Sequence, residues 1–246
     1  MAVAARPVAV VVYTLRSCVP PRRWAAVLAA CGGALLFGLL ARTIDATPER
    51  AFANVAAEGI LGLAVPIAAL VIGDAVLGAE IRGGTFHFTW LTPVPIWQIV
   101  IGRWLGGVLV ALVTIVPACA LAAVVAGAPD AVGPVALAAL LESIAYVAIF
   151  IAIGCITRRT AVWALAFVFL VERLLGAALT GIAQLSPTWE SRAILVGLLD
   201  DPPNRLGREG IPAGGDAVVR LLVVTVVALL IAVWRLRHLR LSGAAD

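Results

Sequence analysis

The chain has 246 residues, of which 63% are hydrophobic and only 13% are charged, whereas soluble domains are about 45–50% apolar and about 25% charged. Its mean hydropathy is +1.08, and because much of any folded surface must face water, this composition excludes a soluble globular protein. The formal net charge is +4, and all 18 basic residues are arginine. Without a lysine, the chain cannot contain the lysine-bearing phosphate-binding loop of many ATPases.

The N-terminal segment is predicted to be a short helix, residues 7–19, that lies in the membrane interface. Five apolar residues recur there at helical spacing: Val8, Val11, Val12, Leu15 and Val19. Pro20 and Pro21 end the pattern. The alternative is the flank of a signal anchor, whereas a cleaved signal peptide is disfavoured because the apolar stretch begins only after 23 residues.

Six stretches are long and apolar enough to cross a bilayer as helices, for which about 20 residues are needed. They are predicted at residues 24–41, 55–76, 99–125, 135–156, 161–182 and 217–234. The predicted fold is therefore an all-α integral membrane protein with one transmembrane domain, residues 1–246.

The arginines predict the orientation of these spans. If the N-terminus is inside, 11 of the 18 arginines fall in cytoplasmic segments, six fall outside and Arg173 lies within a span. Since cytoplasmic loops carry the excess of basic residues, we expect a multi-pass protein of the cell membrane, inner or plasma, with both termini in the cytoplasm. The same rule accounts for the basic charge, so nucleic-acid binding is not expected.

An external loop, residues 183–216, is predicted between the last two spans. It contains an apolar stretch, residues 193–199, that is far too short to cross a membrane. We expect a short helical segment here that dips into the outer leaflet or packs on the top of the bundle.

The largest predicted cytoplasmic loop, residues 80–98, joins the second and third spans. Gly83 and Gly84 can end the second helix, and Thr92 with Pro93 is typical of the start of the next, as N-cap and first helical residue. Between them lies a short aromatic segment. Its pattern fits either a helix that docks into a partner's groove or a turn whose aromatic rings lie in the membrane interface.

The residues around this loop resemble a motif of the membrane subunits of type-two ATP-binding-cassette exporters, the type V exporter class. That motif is a cytoplasmic Glu-x-x-x-Gly-Thr, a hydrophobic stretch, Pro-Val and an apolar turn that ends in Gly-Lys. The matching positions are Glu80, Gly84, Thr85, Phe86 to Trp90, Pro93, Val94, Gly102 and Arg103. The chain departs from the motif in three places: Arg103 replaces the usual lysine, Pro95-Ile96 replaces a small polar residue and an arginine, and Gly83 replaces an acid.

The resemblance implies that the loop is a coupling helix, which docks into a cleft of a separate ATP-hydrolysing subunit and transmits its closure to the spans. The residues that would carry this contact are Glu80, Gly84, Thr85, Phe86, His87, Phe88, Leu91, Pro93 and Val94. The expected partners are that ATPase, with its ATP and magnesium, and a second permease copy or paralogue, within membrane lipid. No cofactor, metal or catalytic residue is expected in this chain.

Glu80 lies at the predicted end of the second span. We expect it to pair with Arg82, with Arg103 or with an arginine of the partner. The alternative is a solvated surface charge.

Glu142 lies in the fourth predicted span, and Glu172 and Arg173 lie near the middle of the fifth, whereas Glu58 and Asp74 lie nearer the ends of the second. Because ionisable groups in a membrane are costly, they indicate either a polar surface along the transport route or an ion pair that holds helices together. The ion pair favoured by the sequence is Glu142 with Arg173.

Two other functions remain compatible with the same topology. A secondary carrier or channel without ATP would have stronger polar lining and paired broken helices in its two halves, and no half-to-half symmetry is visible here. A non-transport scaffold or assembly factor would not require the coupling motif. The sequence does not define a substrate.

Overall fold

The computed structural model describes residues 5–17, 21–44, 47–86, 91, 94–157, 159–170, 184, 186–200 and 215–238. Within these ranges the chain is mainly helical and contains no strand. The helices are α1 (Ala5–Ser17), α2 (Pro21–Ala41), α3 (Pro48–Arg82), α4 (Ile96–Ala126), α5 (Val132–Ile156), α6 (Thr160–Leu170), α7 (Pro187–Leu198) and α8 (Asp216–Arg237).

Four of these helices are long and apolar enough to cross a membrane: α3, α4, α5 with the short turn that precedes it, and α8. The protein is therefore all-α, membrane-embedded and multi-pass. The predicted first and fifth spans coincide with α2 and α6, whose described apolar parts, Val27–Ala41 and Thr160–Leu170, are shorter. Residues 171–182 of the predicted fifth span lie outside the described residues.

The longest helix, α3, extends beyond the predicted second span, residues 55–76, at both ends. Hydropathy alone stops at the charged residues Glu49, Arg50 and Glu80, but the backbone hydrogen bonds of a helix continue past them. Two segments of α3, Ala56–Ala64 and Asp74–Gly78, are wound as π-helix. Such segments are frequent at functional sites, and each of these carries one acid of the helix, Glu58 or Asp74.

The centre of the bundle is formed by α3 and α5. In the most apolar window of α3, 72% of the residues are buried, against 28% for α8. Helix α5 packs against α3, α4, α6, α7 and α8. Small residues permit this packing: a Cβ added to Gly154 of α5 would lie 3.3 Å from the Cα of Gly78 in α3.

Helices α1 and α2 pack on α4, also at glycines. A Cβ added to Gly106 would lie 2.7 Å from the Cβ of Thr14 in α1, and one added to Gly38 of α2 would overlap the carbonyl of Ala122. Thr14 is fully buried and donates a hydrogen bond to the carbonyl of Val10, 2.7 Å away. Close backbone approach therefore fixes the N-terminal helix to the bundle.

The long helices alternate in direction, which gives the bundle two ends. The Arg103 end holds the last residues of α3 and α8 and the first residues of α4 and α6. The Glu190 end holds the opposite ends of these helices together with α7.

Candidate functional site

The second residue of the loop that follows α3 is a left-handed glycine. Gly84 has φ of +68°, a conformation that glycine adopts without steric cost. The amides of Gly83, Gly84 and Thr85 donate to the carbonyls of Ala79, Ile81 and Glu80 at 2.9, 3.3 and 3.1 Å. These bonds satisfy the last carbonyls of the helix, so α3 ends at Arg82, next to the predicted glycine pair.

The helix after the loop begins later than the sequence predicts. Its first residue is Ile96 and its N-cap is Pro95, with φ of −60° and ψ of 139°, so the expectation of Pro93 as first helical residue is wrong. The reason is Pro95, because its ring disfavours helical dihedrals at the preceding residue, Val94. Thr92 and Pro93 themselves lie outside the described residues.

A buried ion pair joins the two helices at the base of the loop. Glu80 Oε2 of α3 accepts a hydrogen bond from Arg103 Nη2 of α4 at 2.7 Å. The Arg103 side chain is only 1% exposed. From the sequence, Arg82 and Arg103 were both expected as possible partners of Glu80. In the structure Glu80 pairs with Arg103, whereas Arg82 pairs with Asp74.

Arg103 also contacts α1 and a backbone carbonyl. Its guanidinium lies over the ring of Tyr13, with 4.6 Å between the Cζ and the ring centroid, a cation–π geometry. Its Nη1 donates to the carbonyl of Val76 at 3.3 Å. One arginine thus holds α1, α3 and α4 together directly below the loop.

A second arginine, which forms an ion pair within α3, connects α3 to α6. Both terminal nitrogens of the Arg82 guanidinium, Nη1 and Nη2, bond to the Asp74 carboxylate, with Nη2 2.7 Å from Oδ2, a bidentate geometry that fixes orientation. Arg82 Nη1 also donates to Thr160 Oγ1 at 3.1 Å. The Arg103 end therefore links α1, α3, α4 and α6 through two arginines.

Among the described residues of the loop, two apolar side chains differ most in exposure. Phe86 is buried in the hydrophobic core, and Leu91 is 77% exposed. Gly84 and Thr85 are exposed, and Thr85 Oγ1 donates to the carbonyl of Glu80 at 3.4 Å. Three residues of the predicted coupling contact, His87, Phe88 and Pro93, lie outside the described residues.

Glu142 is fully buried in α5 and contacts α7. Thr188 Oγ1 donates to Glu142 Oε1 at 3.3 Å and lies 2.7 Å from the Tyr146 hydroxyl. Since a hydroxyl has one hydrogen, Tyr146 then donates to Thr188. The predicted partner Arg173, like Glu172, lies outside the described residues, and the contact that the structure shows is one the sequence did not predict.

Two more side chains of α7 bond to the neighbouring helices. Arg192 bonds to Glu58 of α3 (Nη2 to Oε2, 3.0 Å) and through Nε to the carbonyl of Ala57 at 3.0 Å. Glu190 accepts from Arg220 Nη1 of α8 at 3.2 Å. Burial raises the pKa of the Glu190 carboxyl, and the hydrogen bond from Arg220 opposes that shift. Through alternate residues, α7 thus contacts α5, α8 and α3.

Sequence reasoning missed α7 as a polar junction. It counted Glu190, Arg192 and Arg220 only as charges on the outer side of the membrane, and in this loop it examined only the apolar stretch, residues 193–199. The available signal was a helix start, Ser186-Pro187, directly before a segment that contains both charges and an apolar run. Ser186 is in fact the N-cap, and its Oγ accepts from the Trp189 amide at 3.4 Å.

Comparison with known proteins adds no assignment to these observations. The chain matches no protein-family model, and no curated protein is significantly similar to it in sequence. Within the part of the chain that the structure describes, no group of three His, Cys, Asp or Glu residues is placed to hold a metal ion.

Proposed function

We propose that this chain is the membrane subunit of an ATP-driven exporter, the role that its loop motif resembles. Six spans, including α2 and α6, would cross the membrane with both termini in the cytoplasm, so that the Arg103 end faces the cytoplasm. A separate subunit would bind ATP and magnesium and hydrolyse the nucleotide. A second permease subunit, identical or paralogous, would complete the transporter.

The observation that carries the proposal is the brace at the base of the loop. A loop that transmits a push must not bend relative to the helices on either side of it. The Glu80–Arg103 pair connects the helix before the loop to the helix after it, and Arg82 connects the first of these to α6. A displacement of the loop would therefore move α1, α3, α4 and α6 together.

Leu91 is the described residue best suited to contact the ATPase. It is the most exposed large hydrophobic side chain among the described residues, and it lies in a loop rather than on a lipid-facing helix. An apolar anchor of this kind fits a groove in a partner protein.

A cleft between α2, α3 and α6 is the proposed contact for the cargo. Its volume is about 530 Å³, within the range of small-molecule sites. Phe37, Leu40, Leu63 and Phe169 supply apolar lining, and Glu58 supplies one carboxylate. This lining supports a hydrophobic or amphipathic cargo, which we would seek as compounds from a panel that stimulate ATP hydrolysis by the reconstituted complex.

The proposal predicts that a P-loop ATPase is encoded next to the gene, and co-expression of the two chains tests it. We expect a detergent-stable complex, and we expect Leu91→Ser to reduce co-purification of the ATPase at least severalfold because the substitution removes an apolar anchor. Leu198→Ser is the matched control, since Leu198 is exposed at the opposite end of the bundle and should leave the complex intact.

Either of two results would contradict the proposal. One is the absence of any complex between the wild-type chain and the ATPase. The other is equal recovery of the ATPase with Leu91→Ser and with Leu198→Ser, while both variants unfold at the wild-type temperature.

A further inference from the structure

A groove at the Arg103 end separates α4 from α8. Its volume is about 600 Å³. Trp97 and Ile101 line one side, and Val226, Leu230, Trp234 and Arg237 are among the residues that line the other. The groove does not include the loop or the ion pairs described above.

The groove runs along α8 for about the length of one membrane leaflet, and its longer part is apolar. Val226, Leu230 and Trp234 recur at intervals of four residues and therefore share one face of α8. From Val226 to Arg237 the helix rises about 16 Å, which is close to half of the ~30 Å hydrocarbon core. A single acyl chain that entered at the Arg237 end would fill this length.

The other part of the groove is polar and basic. Arg237 and His238 are exposed there, and no carboxylate of the described residues lies within ion-pair distance of Arg237. His238 Nδ1 lies 2.8 Å from the Trp234 carbonyl, and its ring is 5.1 Å from the Trp234 ring. Because a carbonyl only accepts, Nδ1 is the donor, and Nε2 remains to face a ligand or water.

The exposed rings of Trp97 and Trp234 lie beside these basic groups. Tryptophan is enriched where lipid headgroups begin, so the two rings place the polar part of the groove at the membrane surface. Basic pockets between spanning helices on the cytoplasmic side bind anionic headgroups. The length of the groove, its basic residues and the position of its two tryptophan rings therefore all fit a lipid with an anionic headgroup.

We propose that this groove binds one anionic phospholipid. The phosphate contacts Arg237 beside His238, and one acyl chain lies along Ile101, Val226 and Leu230. The lipid would fix the start of α4, and hence one side of the loop, relative to α8. This inference depends on the groove and on the proposed orientation, with the Arg103 end at the cytoplasmic surface, and not on the proposed transport function.

The test is native mass spectrometry of the full chain, purified in mild detergent and supplied with equal amounts of phosphatidylglycerol and phosphatidylcholine. We expect one retained phosphatidylglycerol per chain in preference to phosphatidylcholine. Arg237→Gln should reduce that preference about fivefold, the effect of one arginine near an anionic surface. Arg237→Lys should keep most of it.

Arg16→Gln is the matched control, because it removes the same charge from an exposed position of α1 that does not line the groove. Leu230→Trp should reduce retention of both lipids by filling the groove. The proposal is overturned if the wild-type chain retains the two lipids equally, if Arg237→Gln keeps the wild-type preference, or if Arg16→Gln reduces it as much as Arg237→Gln does.

Discussion

The two ends of the bundle use buried charges in different ways. At the Arg103 end, Arg103 of α4 bonds to an acid and a carbonyl of α3 beside the loop. Arg82 pairs with an acid of its own helix, α3, and bonds to a hydroxyl of α6. At the Glu190 end, one short helix, α7, places Thr188, Glu190 and Arg192 against three different helices. The first arrangement braces a loop between two helices, and the second holds an inserted helix within the bundle.

This difference predicts how strongly a single substitution at each end should affect stability. Loss of Arg103 removes its contacts with α1 and α3 together, so a single substitution should loosen three helices, α1, α3 and α4. Loss of one polar residue in α7 leaves the other two attachments in place, so each substitution at the Glu190 end should have a smaller effect.

The largest effect is expected from the Glu80–Arg103 pair. Glu80→Gln leaves the buried guanidinium without its counter-charge, which should lower the free energy of unfolding by roughly 3–5 kcal/mol. The reversed pair, Glu80→Arg with Arg103→Glu, should recover part of that loss. Thermal unfolding in detergent measures both, and a Glu80→Gln chain as stable as wild type would show that the pair does not brace the loop.

A smaller effect is expected from Arg192. Arg192→Gln removes the ion pair with Glu58 and the hydrogen bond to Ala57, which together should contribute about 1–2 kcal/mol because Glu58 is partly exposed. Arg192→Lys, which keeps the charge but not the forked donors, should be intermediate. If chemical denaturation shows Arg192→Gln to be as destabilising as Glu80→Gln, the proposed difference between the two ends is wrong.

The next prediction compares a glycine with crowded surroundings, Gly78, and a glycine with open surroundings, Gly133. An alanine Cβ at Gly78 would lie 2.7 Å from Asp74 Oδ1 and 3.3 Å from Arg82 Nη1, so Gly78→Ala should cost about 1–2 kcal/mol by overpacking. Gly133, at the Glu190 end, has no atom within 4 Å of such a Cβ. Gly133→Ala should leave the melting temperature unchanged or raise it, and equal losses from both variants would contradict this account.

The smallest effect is a pH dependence at the Glu190 end. Because burial raises the pKa of Glu190 above its ordinary value of 4.5, the folded protein binds this proton more tightly than the unfolded chain does. The contribution of Glu190 to stability is therefore fully present below pH 4.5 and is lost as the pH rises through the raised value. Glu190→Gln should remove this slope from unfolding curves measured across pH, and an unaltered slope would argue against it.

Much of the architecture could be predicted from the sequence because it depends on apolar length and on glycine chemistry. Hydropathy located α3, α4, α5 and α8, and Gly83-Gly84 predicted the end of α3. Hydropathy could not give the full length of α3, whose ends extend past charged residues. It also could not foresee that Pro95, rather than Pro93, determines where α4 begins.

The candidate site was harder to predict because its contacts join residues far apart in the chain. Glu80 and Arg103 could be proposed as a pair because both lie beside one loop. Thr188 and Glu142 are separated by 46 residues, and no periodicity in either segment connects them. The polar contacts of α7 depend on how a short helix is oriented among longer ones, which tertiary packing determines.

The central claim, that the loop after α3 docks on an ATP-hydrolysing subunit, is tested most directly by photo-crosslinking. A photoreactive residue would be placed at Leu91 or, as the matched control, at Leu198, in membranes that contain the chain and its co-expressed ATPase. The account predicts a crosslink to the ATPase from position 91 and none from position 198. No crosslink from position 91, or equal crosslinking from both positions, would contradict it.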